Sequence, residues 1–355
     1  MLKKVIPLIV CLLLCSCYDS TEIDDLAYVV AVGIDKGENE PYKISFQYAV
    51  PLNIGSGIDS EPGDEAPLTI YSFETSSVQM ATSLANDRIA KITDLSHLKL
   101  VVFSEEIAKS GIKQLKTDFE NALSARTQFD IAVCRDDAYS CLKSASSPLE
   151  LNPSRYYEDF FDNMYSTYSV KQNTNTLFND ENAFSVPYLI SDGGLSCSGM
   201  AIFKNYQMKD TFHSKEVLLL NLIRNEFVHL NFETQKGLFR LDAEAPPQFS
   251  IKAEKVPVIT INIFLTGEPV SGEEILFKDI KFSEDILKNE LKSAVFEFLE
   301  HTQSINCDVL KLSSHAKRKF LTEQDFMKYN FEQKYKDAKF NINISFKNIR
   351  TNQKE

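Results

Sequence analysis

The chain has 355 residues, 43% hydrophobic and 25% charged, with 12 Gly, 12 Pro, 25 Phe, 14 Tyr and no Trp. This is a globular composition with room for two or three domains, not a fibrous or disordered one. The formal net charge is −12, and without residues 1–16 the remaining 36 basic and 50 acidic residues give −14; such a surface repels phosphate backbones and anionic headgroups, which argues against nucleic acid as a partner and asks for membrane attachment by something other than a basic patch.

The N-terminus supplies that something. Lys3-Lys4 precede an apolar run of ten residues, Val5 to Leu14, too short for the roughly 20 residues of a membrane span but suited to an export signal. Leu14-Cys15-Ser16-Cys17 resembles the bacterial lipobox: Leu at −3, a small residue at −1 and Cys at +1. The resemblance implies removal of residues 1–16 as a lipoprotein signal peptide. Cys17 then becomes the mature N-terminus, carrying an S-diacylglycerol and an N-acyl group such as palmitate. Cys11 and Cys15 would leave with the signal, which removes any redox pair or metal half-site from this stretch.

Residues 17–27 form an acidic stem. "YVVAVGIDK" and "YKISFQYAV" read as two strands of a hairpin around "GENEP", and residues 52–67, rich in Gly, Ser, Pro and acids, as a loop. Val78, Ala81, Leu84 and Ile89 fall at helical spacing. "HLKLVVF" (97–103) predicts a strand, and Ser104 before "EEIAKSG" an N-capped helix closed by glycine. A further helix to about Leu123, a strand at 129–134 and a helix from "DDAYSCLK" continue a strand–helix alternation in the sheet of the opening hairpin. An aromatic helix follows, "SRYYEDFFDNMYSTY", then "VPYLISDGG", with a boundary placed at Gly193-Gly194.

"SGMAIFKNYQMKDTF" predicts a hairpin, "SKEVLLLNLIRN" a capped helix, and "EAPPQF" (244–249) a second seam. "VITINIFLTG" and the closing "AKFNINISFKNI" alternate as strands. Between them Ser283 is expected to cap a helix of about 19 residues with Leu287, Leu291, Ala294 and Phe298 on one face, followed by a second helical segment around "SSHAKRKFLTEQDFMKY". The whole reads as a mixed α/β (α+β) protein. Its N-terminal α/β domain spans 28–192, a small middle domain 193–248, and a C-terminal domain 249–355 in which helices lie on one face of a sheet.

Chemistry is sparse. "GGLSCSG" (193–199) lacks the final glycine of a nucleophile elbow and the lysine of a phosphate loop. His97, His213, His229, His301 and His315 form no local metal box, and no carboxylate run has the order of a calcium loop. Cys134, Cys141, Cys197 and Cys307 fit no zinc spacing. In an exported chain they are open to disulfide pairing, with small buried hydrophobes the preferred reading. "HAKRK" (315–319) is a short basic run, read as the outer face of a helix with partner docking as the lesser alternative. No catalytic, metal-binding or cofactor-binding residue, and no cofactor, is expected.

The residues after Cys17 carry a family likeness. Cys17-Tyr18-Asp19-x-x-Glu22-Ile23, followed by a strand ending in Gly33-Ile34-Asp35, resembles the Ger(x)C family of spore germination lipoproteins, the C subunits of nutrient germinant receptors. Tyr18 stands where the family usually has Trp. The likeness recurs in "LSHLKLVVFSEEIAKSGI" (95–112), "GMAIFKN" (199–205), "CDVL" (307–310) and "YKDAKFNINISFKNI", and so covers nearly the whole mature chain. It implies a three-domain ectodomain of mixed β-sheets flanked by helices, tethered through Cys17 to the outer face of the spore inner membrane. It further implies no enzyme activity and partnership with two membrane subunits, an A subunit and a transporter-like B subunit. The alternatives are a solute-binding lipoprotein of a transporter and, less favoured, a lipoprotein hydrolase.

Overall fold

The computed structural model describes residues 23–50, 68–122, 129–145, 150, 152–168, 183–227 and 229–349; the signal segment, Cys17 and the loop at 52–67 lie outside them. Nine strands among the described residues form the larger sheet: β1 (Leu26–Lys36), β2 (Tyr42–Ala49), β3 (Leu68–Thr75), β4 (Ile92–Asp94), β5 (Leu100–Ser104), β6 (Asp130–Cys134), β7 (Ala183–Ile190), β8 (Ser196–Lys204) and β9 (Gln207–Phe212). Their order is β3-β2-β1-β5-β6-β7-β8-β9, with β4 beside the start of β1. β1, β5, β6 and β7 run parallel, and the flanking strands are antiparallel. The chemistry of the strands dictates this split. "VVAVGI" and "LVVF" are buried on both faces, as central parallel strands are when crossover helices cover each side.

Helices α1 (Val78–Ile89), α2 (Glu105–Ser110) and α3 (Lys113–Ala122) cover one face, packing Val78, Ala81, Ile107, Leu115 and Phe119 on Val32, Ile34, Val101 and Phe103. Ser77 and Ser104 cap α1 and α2, accepting from the amides of Met80 (3.2 Å) and Ile107 (3.5 Å). On the other face, α4 (Ala138–Ser144) and α5 (Pro153–Tyr168) bring Ala138, Leu142, Tyr157 and Phe161 against Ala31, Val102 and Ala132.

Helix α6 (Ser214–Arg224) links this layer to a second sheet of β10 (Leu230–Thr234), β11 (Gly237–Lys252), β12 (Val258–Gly272) and β13 (Lys339–Ile349) in that order. Val217, Leu219, Leu220, Leu222 and Ile223 are all buried, because α6 lies between Met200 and Ile202 of β8 and the second core. β12 and β13, whose direct pairing the sequence pattern leaves open, pair in parallel from Val258–Lys339 to Leu265–Phe346. A parallel pair needs a long crossover, here α7 (Ile275–Lys278), α8 (Ile280–Ser304), α9 (Leu312–Lys317), α10 (Glu323–Tyr329) and α11 (Phe331–Tyr335). The stripe Leu287, Leu291, Ala294, Phe298 is buried as predicted.

Four expectations need correction. α8 has 25 residues and its cap is Asp279, whose carboxylate accepts from Phe282 N (3.0 Å). Ser283 is buried in the first turn and donates to Leu276 O (2.7 Å); both residue types cap helices, and only the α7 turn selects the earlier one. "EAPPQF" is no seam. β11 passes through it, with its register to β12 broken between Ala245 and Gln248, where prolines without amide hydrogens are tolerated. The segment 193–248 divides its strands between the two sheets, β8 and β9 joining the larger and β10 and most of β11 the smaller. Finally, Cys134 and Cys141 are disulfide-bonded, with Cα atoms 6.5 Å apart, while Cys197 and Cys307 are not part of that bond. The turn after β6 folds α4 back over its own strand, so residues seven apart in sequence meet.

Candidate functional site

Cys17, the one predicted site residue, lies outside the described residues, six positions before Ile23. The stem enters the fold as a short turn, Ile23–Asp25. Leu26–Tyr28 then pair in parallel with Ile92–Asp94, and Lys91 Nζ donates to the Asp24 carbonyl (2.9 Å). Beside this entry is a cleft of about 590 Å³ bordered by Leu26, Thr82, Ser83, Ile92, Asp94 and Asn121. Among the described lining residues Asp94 is the single carboxylate, and it already accepts from Ser96 N (2.6 Å). These residues offer no acid–base pair.

The strand motif Gly33-Ile34-Asp35 seats α4. Gly33 faces the helix so closely that a Cβ there would stand 3.0 Å from Leu142 Cδ1 and 3.3 Å from Ala138 Cβ; only glycine leaves that room. Two residues on, the buried Asp35 carboxylate accepts from the first two amides of α4, Ala138 N (2.6 Å) and Tyr139 N (3.1 Å). Burial raises the Asp35 carboxyl above its usual range, and the two amides oppose that shift. Gln47 extends the fastening, donating to Leu142 O (2.9 Å) and accepting from Tyr157 Oη (2.6 Å). The Cys134–Cys141 disulfide closes the same corner.

A second concentration of motif residues is the joint between the two sheets. In "GMAIFKN", Met200 and Ile202 enter the C-terminal core, whereas Ala201 and Phe203 enter the N-terminal one. Gly199 has φ +159, and a Cβ there would fall 2.1 Å from Phe212 O. "CDVL" docks on the end of β8: Cys307 Sγ reaches the Phe203 carbonyl (3.5 Å), and Lys204 Nζ donates to Asn306 O (2.7 Å) and pairs with Glu332 (2.7 Å). Arg224 Nη2 donates to Val309 O (2.6 Å). Asp308 holds the start of α9 through Leu312 N (2.8 Å) and Ser313 N (2.7 Å), and burial pushes its carboxyl up to about 6 against those amides. Burial likewise pushes the Cys307 thiol up to about 12, which makes it an inert packing group.

Sequence reasoning missed the role of His301. On α8, its Nε2 meets Asp210 of β9 (3.0 Å) and its Nδ1 meets Glu216 of α6. Burial lowers the imidazolium, but Glu216 and Asp210 outweigh it and leave His301 raised above 6.5. No local signal could have revealed this, since the partners lie 85 and 91 residues away. Among the described residues, no three His, Cys, Asp or Glu side chains gather into a metal-holding group, and no helix is long and apolar enough to cross a membrane.

These motif residues fasten a scaffold, so kinship carries the functional information. The family model for the spore germination protein N-terminal domain matches residues 19–190, and that for the spore germination B3/GerAC-like C-terminal domain matches 198–352. The YfkR protein of Bacillus subtilis (strain 168) is 22% identical, covering 96% of this chain and 94% of its own. Spore germination protein KC of the same organism is 21% identical, with 94% and 91% covered. The crystal structure of the GerBC protein superposes with a TM-score of 0.52 at 15% identity, covering 90% of this chain and 96% of that one, and so shares the fold. With both halves matched in order by the two domains of one family, the chain belongs to the Ger(x)C family of spore germination proteins.

Proposed function

We propose that this protein is the lipid-anchored C subunit of a spore nutrient germinant receptor, a non-enzymatic assembly component held by Cys17 on the outer face of the spore inner membrane and working with membrane-embedded A and B subunits. The observation that carries this reading is the position of the family match, which begins at residue 19, two residues after the lipobox cysteine, and continues through the C-terminal domain. Two or more acyl chains provide stable attachment where a single chain gives only marginal binding, and contacts with integral subunits add avidity. Six residues from Cys17 to Ile23 reach at most about 20 Å, which keeps the folded body close to the bilayer. A scaffold whose motif residues are spent on internal fastening suits docking rather than turnover. The solute-binding alternative draws no support from the relatives.

The test is Cys17→Ala in the spore-forming host. The expected outcome is a folded protein lost from the inner-membrane fraction, with nutrient germination impaired and germination by non-nutrient triggers intact. Unchanged fractionation together with normal nutrient germination would overturn the reading.

A further inference from the structure

Among the described residues, one basic stretch also carries the two most exposed large apolar side chains. Residues 311–339 hold eight basic and four acidic side chains, a net +4 that leaves −18 on the rest of residues 17–355. Within them, "KRKFLTEQDFMKY" (317–329) forms a spur. α10 buries no side chain, Leu321 is 102% exposed and Met327 73%. The spur has its own internal support: Phe320 packs on Phe326 (5.6 Å) and Tyr329 (5.0 Å), and Lys334 Nζ sits 3.8 Å over the Tyr329 ring. Lys317 pairs with Glu323 (2.5 Å). Among the described residues, Arg318, Lys319 and Lys328 form no ion pair, and all three are exposed.

The spur is anchored at the end of the larger sheet from which the stem leaves. The stem enters where the parallel strands begin, and β8, antiparallel to β7, finishes at that end, since Lys204 pairs with Ala183, the first residue of β7. Asn306 and Glu332, which flank the spur in the chain, are both fastened to that Lys204.

We infer that the spur is a second membrane contact, seating Leu321 and Met327 at the headgroup–acyl boundary of an anionic bilayer while Arg318, Lys319 and Lys328 meet lipid phosphates. The inference rests on the anchored reading for its geometry. An apolar tip flanked by cations is the pattern an interfacial layer accepts, with long basic side chains snorkelling to the phosphates. Screening confines the effect to within about 10 Å, so the local charge of the spur governs its own contact while the acidic remainder is repelled from the same surface. The contact therefore sets the orientation of the body as well as adding to its attachment.

The absence of Trp makes the test direct. In L321W the probe replaces a fully exposed side chain and is the sole tryptophan. On phosphatidylglycerol vesicles carrying the full lipidated chain, its emission is expected to shift to the blue and to be quenched by brominated phosphatidylglycerol. Both changes should be absent on phosphatidylcholine vesicles. In a K317E/R318E/K319E background the insertion equilibrium should fall at least about a hundredfold, at roughly fivefold per basic residue removed near an anionic surface. Flotation of the chain with and without Cys17→Ala reads the anchor separately, and titrating excess phosphatidylglycerol vesicles reads the spur even if the chain proves unanchored. Unshifted emission on phosphatidylglycerol, equal quenching on both lipids, or a shift that requires the membrane subunits would each overturn the inference; the last would assign the spur to a protein partner.

Discussion

Asp35→Ala removes the carboxylate that holds the first two amides of α4, and its cost can be worked from the contacts. The side chain is 7% exposed and accepts from two α4 amides, at 2.6 and 3.1 Å. A hydrogen bond to a charged acceptor contributes about 1.5–3 kcal/mol, and a buried donor left without a partner costs about 1–3 kcal/mol. Part of this is offset, because burial disfavours the Asp35 charge, as its raised carboxyl shows. A net loss of about 2–3 kcal/mol follows. It falls on a helix of seven residues, far too short to persist by propensity alone. The loss should be local, because the disulfide, the Asp137 cap (Ser140 N to Oδ1, 2.7 Å) and the packing of Leu142 over Gly33 remain. Hydrogen exchange followed by mass spectrometry is the appropriate assay: peptides spanning 138–144 should exchange about 30- to 150-fold faster, at 1.36 kcal/mol per tenfold, while α8 stays protected. Protection of α4 within about twofold of the unsubstituted chain would refute the capping role.

Other expectations follow from the joint and the cores. Because the folded His301 is raised above its unfolded 6.5 by Glu216 and Asp210, its contribution is full below about 6.5 and is lost as pH rises through the folded value; thermal melts from pH 6 to 9 should show that decline, and His301→Gln should flatten it. Gly199→Ala, whose Cβ would meet Phe212 O at 2.1 Å, should destabilise by at least about 2 kcal/mol, against about 1 kcal/mol for Gly194→Ala, where φ is also positive but nothing lies within 4 Å; tyrosine-detected urea melts compare the two. Cys134→Ser opens an eight-residue loop and should cost about 2.5 kcal/mol, a loss that reductant reproduces in the unsubstituted chain. Leu291→Ala, at a fully buried position of α8, should cost about 2–5 kcal/mol in the same melts.

Much of the architecture was legible because short-range chemistry writes it. Continuous apolar runs marked β1 and β5, Ser104 stood one residue before its helix, and alternation marked β12 and β13. Errors arose where two local signals were equivalent. Asp279 and Ser283 are both capping residues, and the Pro246-Pro247 pair marks a seam as readily as a bulge. The glycine in "VVAVGID" does signal close backbone approach, yet nothing local says that α4, more than 100 residues later, is what approaches.

The residue order alone therefore determined most element types and the lipobox reading of Cys17 from near neighbours, and the family likeness from short motifs spread along the chain. The tertiary structure decided what those positions do together. It set Asp35 against the first two amides of α4, His301 as the clasp between β9, α6 and α8, Cys134 and Cys141 as a bonded pair, and the basic residues near 318 as the flank of an exposed apolar spur. The physical reason is distance along the chain. Burial, charge pairing and the meeting of two thiols depend on which remote segments share a space, and only the packed sheets bring them there.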